Sequence, residues 1–229
     1  MEKSAIILAG GSSRRLGQDK GSVRLAGKPL ILHVLDRVST VVEEVIVVVR
    51  SEVQGNAYAS FLESKARIVI DKHQMQSPLI GALAGFESAR GDYSLLVPCD
   101  SPFISSQIAS ILLKSCVGKD AIVPRWPNSF IEPLHASYFT KSAMVAANRA
   151  LERRRLDMRS MIRRLEKVSY LSTLALEQID PMLTTFLNVN TFDDLKKVEH
   201  LLEWVPAKVE AFDSVRLAFQ QSRRERHSF

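Results

Sequence analysis

Cysteine is scarce: Cys99 and Cys116 are the two in a chain of 229 residues. Two cysteines build no disulfide framework, and their spacing matches no metal-binding pattern. Long apolar runs are missing as well. The hydrophobic stretches are strand-length and interrupted by charge, well short of the roughly 20 residues that a membrane-spanning helix requires. The N-terminus shows no basic region followed by an apolar segment and a cleavage site, so no signal peptide is expected. Internal repeats and low-complexity linkers are absent. What remains, 46% hydrophobic and 24% charged, is ordinary for a globular chain, and a reducing cytoplasm is the expected setting. The net charge of +6 suits anionic partners without separating nucleotides, phosphorylated cofactors and nucleic acid.

The stretch Ala5-Ile6-Ile7-Leu8-Ala9-Gly10-Gly11-Ser12-Ser13-Arg14-Arg15-Leu16-Gly17-Gln18-Asp19-Lys20 carries the most chemistry. An apolar run ends in two glycines, then small hydroxyl residues, two arginines and a lysine follow. Glycines let backbone amides approach a ligand closely, and consecutive amides make a concavity that binds phosphate. Arg14, Arg15 and Lys20 add positive charge there, and arginine suits bidentate phosphate contacts. The stretch is neither a Walker A loop nor G-x-G-x-x-G. Gly11 and Gly17 enclose five residues, and two more separate Gly17 from Lys20.

Strand and helix patterns alternate along the chain. Strands are predicted over 4–9, 45–49, 67–70, 93–97 and 121–123, with further ones over 133–138, 168–171 and 186–189. Helices are predicted after Lys28-Pro29, with Pro29 in the first turn, and over 56–64, 79–89, 105–116 and 140–151. Another is marked by the i, i+3, i+4, i+7 spacing of Met158, Met161, Ile162 and Leu165. Thr191 reads as the N-cap of a last helix running to about residue 204, and 208–220 could form one more before a disordered tip. This alternation predicts an α/β fold: three layers, a mostly parallel sheet with helices on both faces. One domain over 1–205 and an extension over 206–229 are expected.

In such sheets ligands bind beyond the carboxyl ends of the strands. The Gly-rich loop follows the first strand, Arg50-Ser51 the second, Asp71 the third, and Pro98-Cys99-Asp100 the fourth. Asp100 is the candidate ligand for Mg²⁺, which one or two carboxylates hold while phosphate oxygens and water complete the octahedron. Cys99, with no nearby histidine to activate it, reads as a packing residue.

The first stretch resembles the L-x-G-G-x-[ST]-x-R-[ML]-G-x-D-K loop of the Rossmann-like nucleotidyltransferases, above all the molybdenum cofactor guanylyltransferases. Three more segments extend the resemblance over about residues 4 to 200. Val97-Pro98-Cys99-Asp100-Ser101-Pro102 is similar to the family's metal-binding P-C-D-x-P. Asp71 through Ser77-Pro78-Leu79-Ile80-Gly81 is similar to its D-x(n)-G-P-L-x-G, with Ser77 in place of glycine. Asn188-Val189-Asn190-Thr191-Phe192 is similar to N-[VI]-N-T-P, with Phe192 in place of proline.

The resemblance implies a Mg²⁺-dependent enzyme that joins GTP and molybdopterin into the guanine dinucleotide cofactor, releasing pyrophosphate. It implies nucleotide binding by Leu8, Ala9, Gly10, Gly11, Ser12, Lys20, Asp71, Gly81 and Asp100. Catalysis would fall to Arg14, Arg15, Lys20 and Asp100, and Asn190 would join Asp100 at the metal unless Asn188 and Asn190 only shape the turn. Glu132, in Glu132-Pro133-Leu134, would face the acceptor. Neither nucleic acid nor a membrane is implied as a partner, and transient contact with proteins that deliver or accept the cofactor stays open. So do a cytidylyltransferase, a nucleotidyltransferase for another phosphorylated small molecule, and a non-catalytic guanine-nucleotide-binding regulator.

One feature lies outside these motifs. Residues 149–167 hold seven arginines and a lysine against Glu152, Asp157 and Glu166. Two readings stand: a solvated helix face, or a landing surface for a phosphorylated acceptor. No aromatic residues are interleaved for base stacking, which disfavours a nucleic-acid surface.

Overall fold

The computed structural model describes residues 1–11, 19–71, 73 and 75–204. Its elements in chain order are β1 (Lys3–Leu8), β2 (Arg24–Leu25), β3 (Lys28–Pro29), α1 (Leu30–Val38), β4 (Glu44–Val49), α2 (Glu52–Leu62), β5 (Arg67–Ile70), α3 (Pro78–Ser88), β6 (Tyr93–Pro98), α4 (Ser106–Cys116), β7 (Ala121–Arg125), β8 (Ala136–Phe139), α5 (Thr140–Glu152), α6 (Met158–Ile162), β9 (Val168–Ser172), α7 (Thr173–Leu176) and α8 (Phe192–Trp204). A seven-stranded sheet runs β5-β4-β1-β6-β8-β7-β9. Its pairs are parallel except those of β8, which is antiparallel to both neighbours. The three-layer, mostly parallel architecture expected from the alternation is therefore present. Among the described residues no helix is long and apolar enough to cross a membrane.

The layering follows from the two-residue period of the strands. Ala5 and Ile7 of β1, with Val45, Val47 and Val49 of β4, face a cluster completed by α1, α2 and α4. Ile6, Ile46 and Val48 point the other way, onto α3, α5 and α6. Burial on both faces explains why these strands read as continuous apolar runs. A third cluster joins Val23, Leu25 and Leu30 to Leu187, Val189, Val198 and Leu201. It binds the β2–β3 hairpin and α8 to each other.

Several sequence expectations need correction. Residues 186–189 form no strand: a short 3-10 turn covers Thr184–Phe186 and irregular chain follows. Phe186 enters the first apolar cluster while Leu187 and Val189 enter the third, so the strand-like pattern comes from a segment threading between two cores. The helix expected over 56–64 begins at Glu52, capped by Ser51, whose hydroxyl accepts from Gln54 N at 3.2 Å. Pro29 ends the hairpin and stands before the first turn of α1 instead of inside it. The strand expected over 133–138 is β8, shifted to 136–139. The arginine-rich stretch is not one helix: α5 stops at Glu152, Arg154 takes a left-handed φ of 55°, and Asp157 caps the short α6. Residues 206–229, expected as an extension with a helix over 208–220, lie outside the described residues.

Candidate active site

The carboxyl ends of β1, β4, β5 and β6 meet at one edge of the sheet. There the chain reverses its lateral direction, since β4 and β6 flank β1 on opposite sides, and such switch points open crevices. Backbone bonds continue the strands into the loops: Cys99 N donates to Leu8 O at 3.0 Å, Ala9 N to Val48 O at 2.9 Å and Asp71 N to Val49 O at 2.8 Å. The crevice is a cavity of about 370 Å³ whose lining includes Leu8, Gly10, Gly11, Lys20, Arg50, Asp71, Gly81, Asp100 and Leu134. That size falls within the range of small-molecule sites. Ala9, between Leu8 and Gly10 in the chain, is buried.

α3 starts at the crevice with Pro78 in its first turn and Ser77 as its cap, the Ser77 hydroxyl accepting from Ile80 N at 3.2 Å. The serine that stands where the resembled motif has glycine thus caps α3 here, and its φ of −154° requires no glycine. Gly81 closes the wall: a Cβ on it would sit 3.4 Å from Leu8 Cδ2, so a larger side chain would project into the cavity.

Lys20 crosses the mouth. Its Nζ donates to Asp100 Oδ2 at 2.9 Å and to Asn190 Oδ1 at 2.6 Å. The neighbouring Asp19 fixes its start: the Asp19 carboxylate accepts from Tyr58 OH, from Gln54 Nε2 and, at 3.1 Å, from Gly21 N. Gln54 Nε2 also donates to Ala9 O at 2.8 Å, so one amide side chain ties β1 to the lysine segment. Gly21 is required there, because a Cβ would collide with the Tyr58 hydroxyl. Burial, then the negative charges possible at Cys99 and Asp19, push the Tyr58 phenol far upward, so it stays a neutral donor.

Asn190 is held from the other side. Thr191 Oγ1 accepts from Asp194 N at 3.1 Å, and Asp194 Oδ2 accepts from Asn190 N and Thr191 N, both at 3.0 Å. This reciprocal capping box begins α8, with Thr191 in the capping position expected for it. Val189 N donates to Asp100 O at 2.8 Å, joining the two metal-candidate segments through their backbones. Below them, Ser101 Oγ contacts His135 Nε2 at 2.9 Å and donates to Asn188 Oδ1 at 2.7 Å.

Asp100 Oδ1 is buried and has no hydrogen-bond partner among the described residues. An orphaned carboxylate oxygen beside an amide oxygen is a donor set that fits a hard cation, with phosphate and water supplying the remaining ligands. No group of three His, Cys, Asp or Glu capable of holding a metal occurs among the described residues. Cys99 is buried, and that burial, reinforced by the Asp100 and Asp19 charges, pushes its thiol well up. It is therefore a packing group, not a nucleophile.

The structure thus lines one crevice with Leu8, Gly10, Gly11, Lys20, Asp71, Gly81 and Asp100, and joins Asn190 to it through Lys20. Ser12, Arg14 and Arg15 lie outside the described residues. Asp71 Oδ1 accepts from His73 N at 2.9 Å. Glu132 is engaged by the Trp126 indole, whose Nε1 donates to Glu132 Oε1 at 2.8 Å. Sequence reasoning missed Gln54, Tyr58, Ser101 and His135, whose partners are 34 to 87 residues away in sequence. The arginine-rich region forms a separate open groove of about 530 Å³ lined by Arg149, Arg153, Arg163 and Arg164 with Glu152.

A parallel sheet, a glycine-rich mouth after its first strand, and a lysine–aspartate–asparagine cluster across that mouth define a nucleotide-binding α/β transferase. Residues 5–168 match the MobA-like NTP transferase domain, and the chain belongs to that family; it is a nucleotidyltransferase. It is 31% identical over 201 residues to a probable molybdenum cofactor guanylyltransferase of Methanosarcina mazei, covering 86% of this chain and 89% of the relative. A protein of the same description from Methanosarcina acetivorans is 33% identical over 214 residues, covering 91% and 93%. Among solved structures, molybdopterin-guanine dinucleotide biosynthesis protein A of Archaeoglobus fulgidus superposes with a TM-score of 0.75 at 30% identity, covering 87% of this chain and 98% of that one. The 4-diphosphocytidyl-2C-methyl-D-erythritol synthase of Anaerococcus prevotii shares the fold, with a TM-score of 0.67 at 16% identity and coverage of 88% and 96%.

Proposed function

We propose that this chain transfers GMP from GTP to the terminal phosphate of molybdopterin, forming the guanine dinucleotide cofactor and releasing pyrophosphate, in the cytoplasm and with Mg²⁺. The observation that carries the reading is the Lys20–Asp100–Asn190 cluster at the mouth of a nucleotide-sized crevice. Relatives with about the same length bear the guanylyltransferase name, which supports the choice of acceptor.

The chain's residues act mainly by positioning and electrostatics. Gly10 and Gly11, with Ser12, offer backbone amides to the β- and γ-phosphates. Arg14 or Arg15 neutralises the departing pyrophosphate. Asp71 and Gly81 bound the space for ribose and base, and backbone groups near Leu8 to Gly10 and Gly81 read the guanine edge. Asp100 and Asn190 would hold Mg²⁺, which would reduce repulsion between the triphosphate and the anionic acceptor. Lys20 brings its ammonium to the α-phosphate and the acceptor. The acceptor phosphate attacks the α-phosphorus, the bond to the pyrophosphate oxygen breaks, and no protein nucleophile takes part.

The test is direct. The purified protein is incubated with Mg²⁺, molybdopterin and each NTP in turn, and pyrophosphate is measured. GTP is expected to exceed CTP and ATP by roughly tenfold or more, since one unpaired polar base edge costs about 1–3 kcal/mol on burial. CTP-dependent release would make the protein a cytidylyltransferase. Release only with another phosphorylated acceptor would change the acceptor, and GTP binding without release under any condition would make it a regulator.

A further inference from the structure

His135 sits one residue beyond Leu134, which lines the crevice, and is 2% exposed. Its ring makes an edge-on contact with Phe186 at 5.4 Å, and Phe186 in turn meets Trp126 at 5.7 Å. His135 Nδ1 faces Glu132 Oε2 at 4.0 Å. A buried imidazole in such a place needs its nitrogens engaged, and its other nitrogen leads straight to the Asp100 segment.

The direction of the hydrogen bonds can be worked out. A serine hydroxyl has one proton. Ser101 gives that proton to Asn188 Oδ1 at 2.7 Å. Towards His135 Nε2, 2.9 Å away, Ser101 can then only accept, which places a hydrogen on Nε2. The chain of donors runs His135 Nε2–H to Ser101, and Ser101 O–H to Asn188. Ser101 follows Asp100, and Asn188 stands two residues before Asn190. With the bond from Val189 N to Asp100 O, this makes two cross-links between the segments that present Asp100 and Asn190. His135 anchors one of them.

We infer that His135 is a positioning residue: through Ser101 and Asn188 it sets the separation of Asp100 and Asn190, and ties that pair to the Glu132–Leu134 segment at the acceptor side. The inference rests on the metal reading of Asp100 and Asn190 given above. It extends that reading to a residue that touches neither nucleotide nor acceptor. Outer partners of metal ligands commonly contribute about 10–100-fold to metal affinity or activity.

The experiment compares wild type with His135→Leu, Ser101→Ala, the double variant and His135→Gln. Gln can place its amide N–H near the Nε2 position. Mn²⁺ binding in the presence of GTP is followed by electron paramagnetic resonance, turnover by pyrophosphate release, and folding by thermal melts. His135→Leu and Ser101→Ala should each weaken Mn²⁺ binding and lower kcat by roughly tenfold, with KM for GTP within about twofold. The double variant should be no worse than either single one, and His135→Gln should recover most of the loss. Nitrogen-15 spectra of the wild type should show His135 as the Nε2–H tautomer.

An Nδ1–H tautomer in the wild type would overturn the inference by reversing the donor chain. So would His135→Leu or Ser101→Ala with a lower melting temperature but wild-type Mn²⁺ affinity and kcat. If His135→Leu does not fold, the loss of one buried hydroxyl in Ser101→Ala, a smaller change, decides the matter. Should the substrate reading fail, wild type would give no turnover while the Mn²⁺ and tautomer measurements still report on His135. Should wild type bind no Mn²⁺, the metal reading fails, and the inference with it.

Discussion

Replacing Lys20 by Ala should separate two quantities that usually fall together, metal affinity and catalysis. The Lys20 ammonium now sits on two oxygens of the proposed metal site, 2.9 Å from Asp100 Oδ2 and 2.6 Å from Asn190 Oδ1, and leaves Asp100 Oδ1 as the one carboxylate oxygen there without a partner among the described residues. Opposite unit charges 2.9 Å apart attract with about 6 kcal/mol gross at an effective dielectric of about 20. Desolvation offsets much of that. The Asp100 side chain is 9% exposed and that of Lys20 is 20% exposed, so removing the lysine leaves a mostly buried carboxylate unmatched. Losing one partner of a buried pair costs about 3–5 kcal/mol; partial solvent access at Lys20 moves the expectation down to about 1–3 kcal/mol. That corresponds to a fall in melting temperature of about 3–10 °C for a domain of this size. Millimolar Mg²⁺ should restore most of it, because the cation replaces the lost charge. Mn²⁺ titrated without nucleotide should bind Lys20→Ala more tightly than wild type. Turnover should nevertheless fall by roughly 10²–10³, the loss typical of one transition-state donor. Mn²⁺ affinity equal to or below that of wild type would refute the reasoning about competition. A normal kcat with a raised KM would make Lys20 a ground-state binder only.

Three further outcomes follow from other parts of the molecule. Asp100→Asn should abolish Mg²⁺-dependent turnover while GTP binding, measured by calorimetry, is partly kept; full Mg²⁺-dependent turnover would move the metal elsewhere. Reversing Arg153 and Arg163 to Glu should weaken acceptor binding and flatten its salt dependence with GTP affinity unchanged, whereas wild-type acceptor titrations at low and high salt would leave the groove a solvated face. Glu44 governs an acid response at the opposite edge of the sheet. Burial pushes its carboxyl upward, but the Arg90 amide, the Arg67 guanidinium and the Ser4 hydroxyl outweigh it and hold the group below its ordinary value. The stability it contributes is therefore complete above the usual glutamate range, near pH 4.3, and is lost as pH falls through the lower folded value. Glu44→Gln should lower the melting temperature at neutral pH and converge with wild type in acid; a constant difference across that range would exclude the linkage.

Much of the fold was legible because its strands are buried on both faces. Val45 to Val49 reads as a strand with no knowledge of its neighbours, since every position is apolar. The site was legible where the chemistry is local: Gly10-Gly11, Asp100 and Asn190 each stand at the end of an apolar run. Direction and pairing were not. Nothing in Ala136–Phe139 says that this strand runs against its neighbours, because alternation is the same in both senses. Phe186, Leu187 and Val189 alternate like a strand but find no ladder. Their side chains divide between two cores, and the Val189 amide goes to the Asp100 carbonyl instead.

The sharpest contrast is between Lys20 and Asp19. Lys20 announces itself by charge beside a glycine loop, and its two partners sit in motifs that could be quoted in advance. Asp19 stands next to it in the same motif, yet its work is invisible along the chain. It receives Tyr58 OH and Gln54 Nε2 from α2, the helix whose start the pattern misplaced. α2 was obscured because its inner face is made of Gly55, Tyr58 and Leu62, too few apolar residues for a clear helical stripe. Polar groups of the same helix reach the segments that border the crevice: Gln54 grips the end of β1 and the carboxylate before Lys20 at once. The weakness of the helical signal and the presence of a functional brace are thus one fact. A helix that turns part of its inner side to a polar site cannot also display the full apolar periodicity by which sequence reveals it.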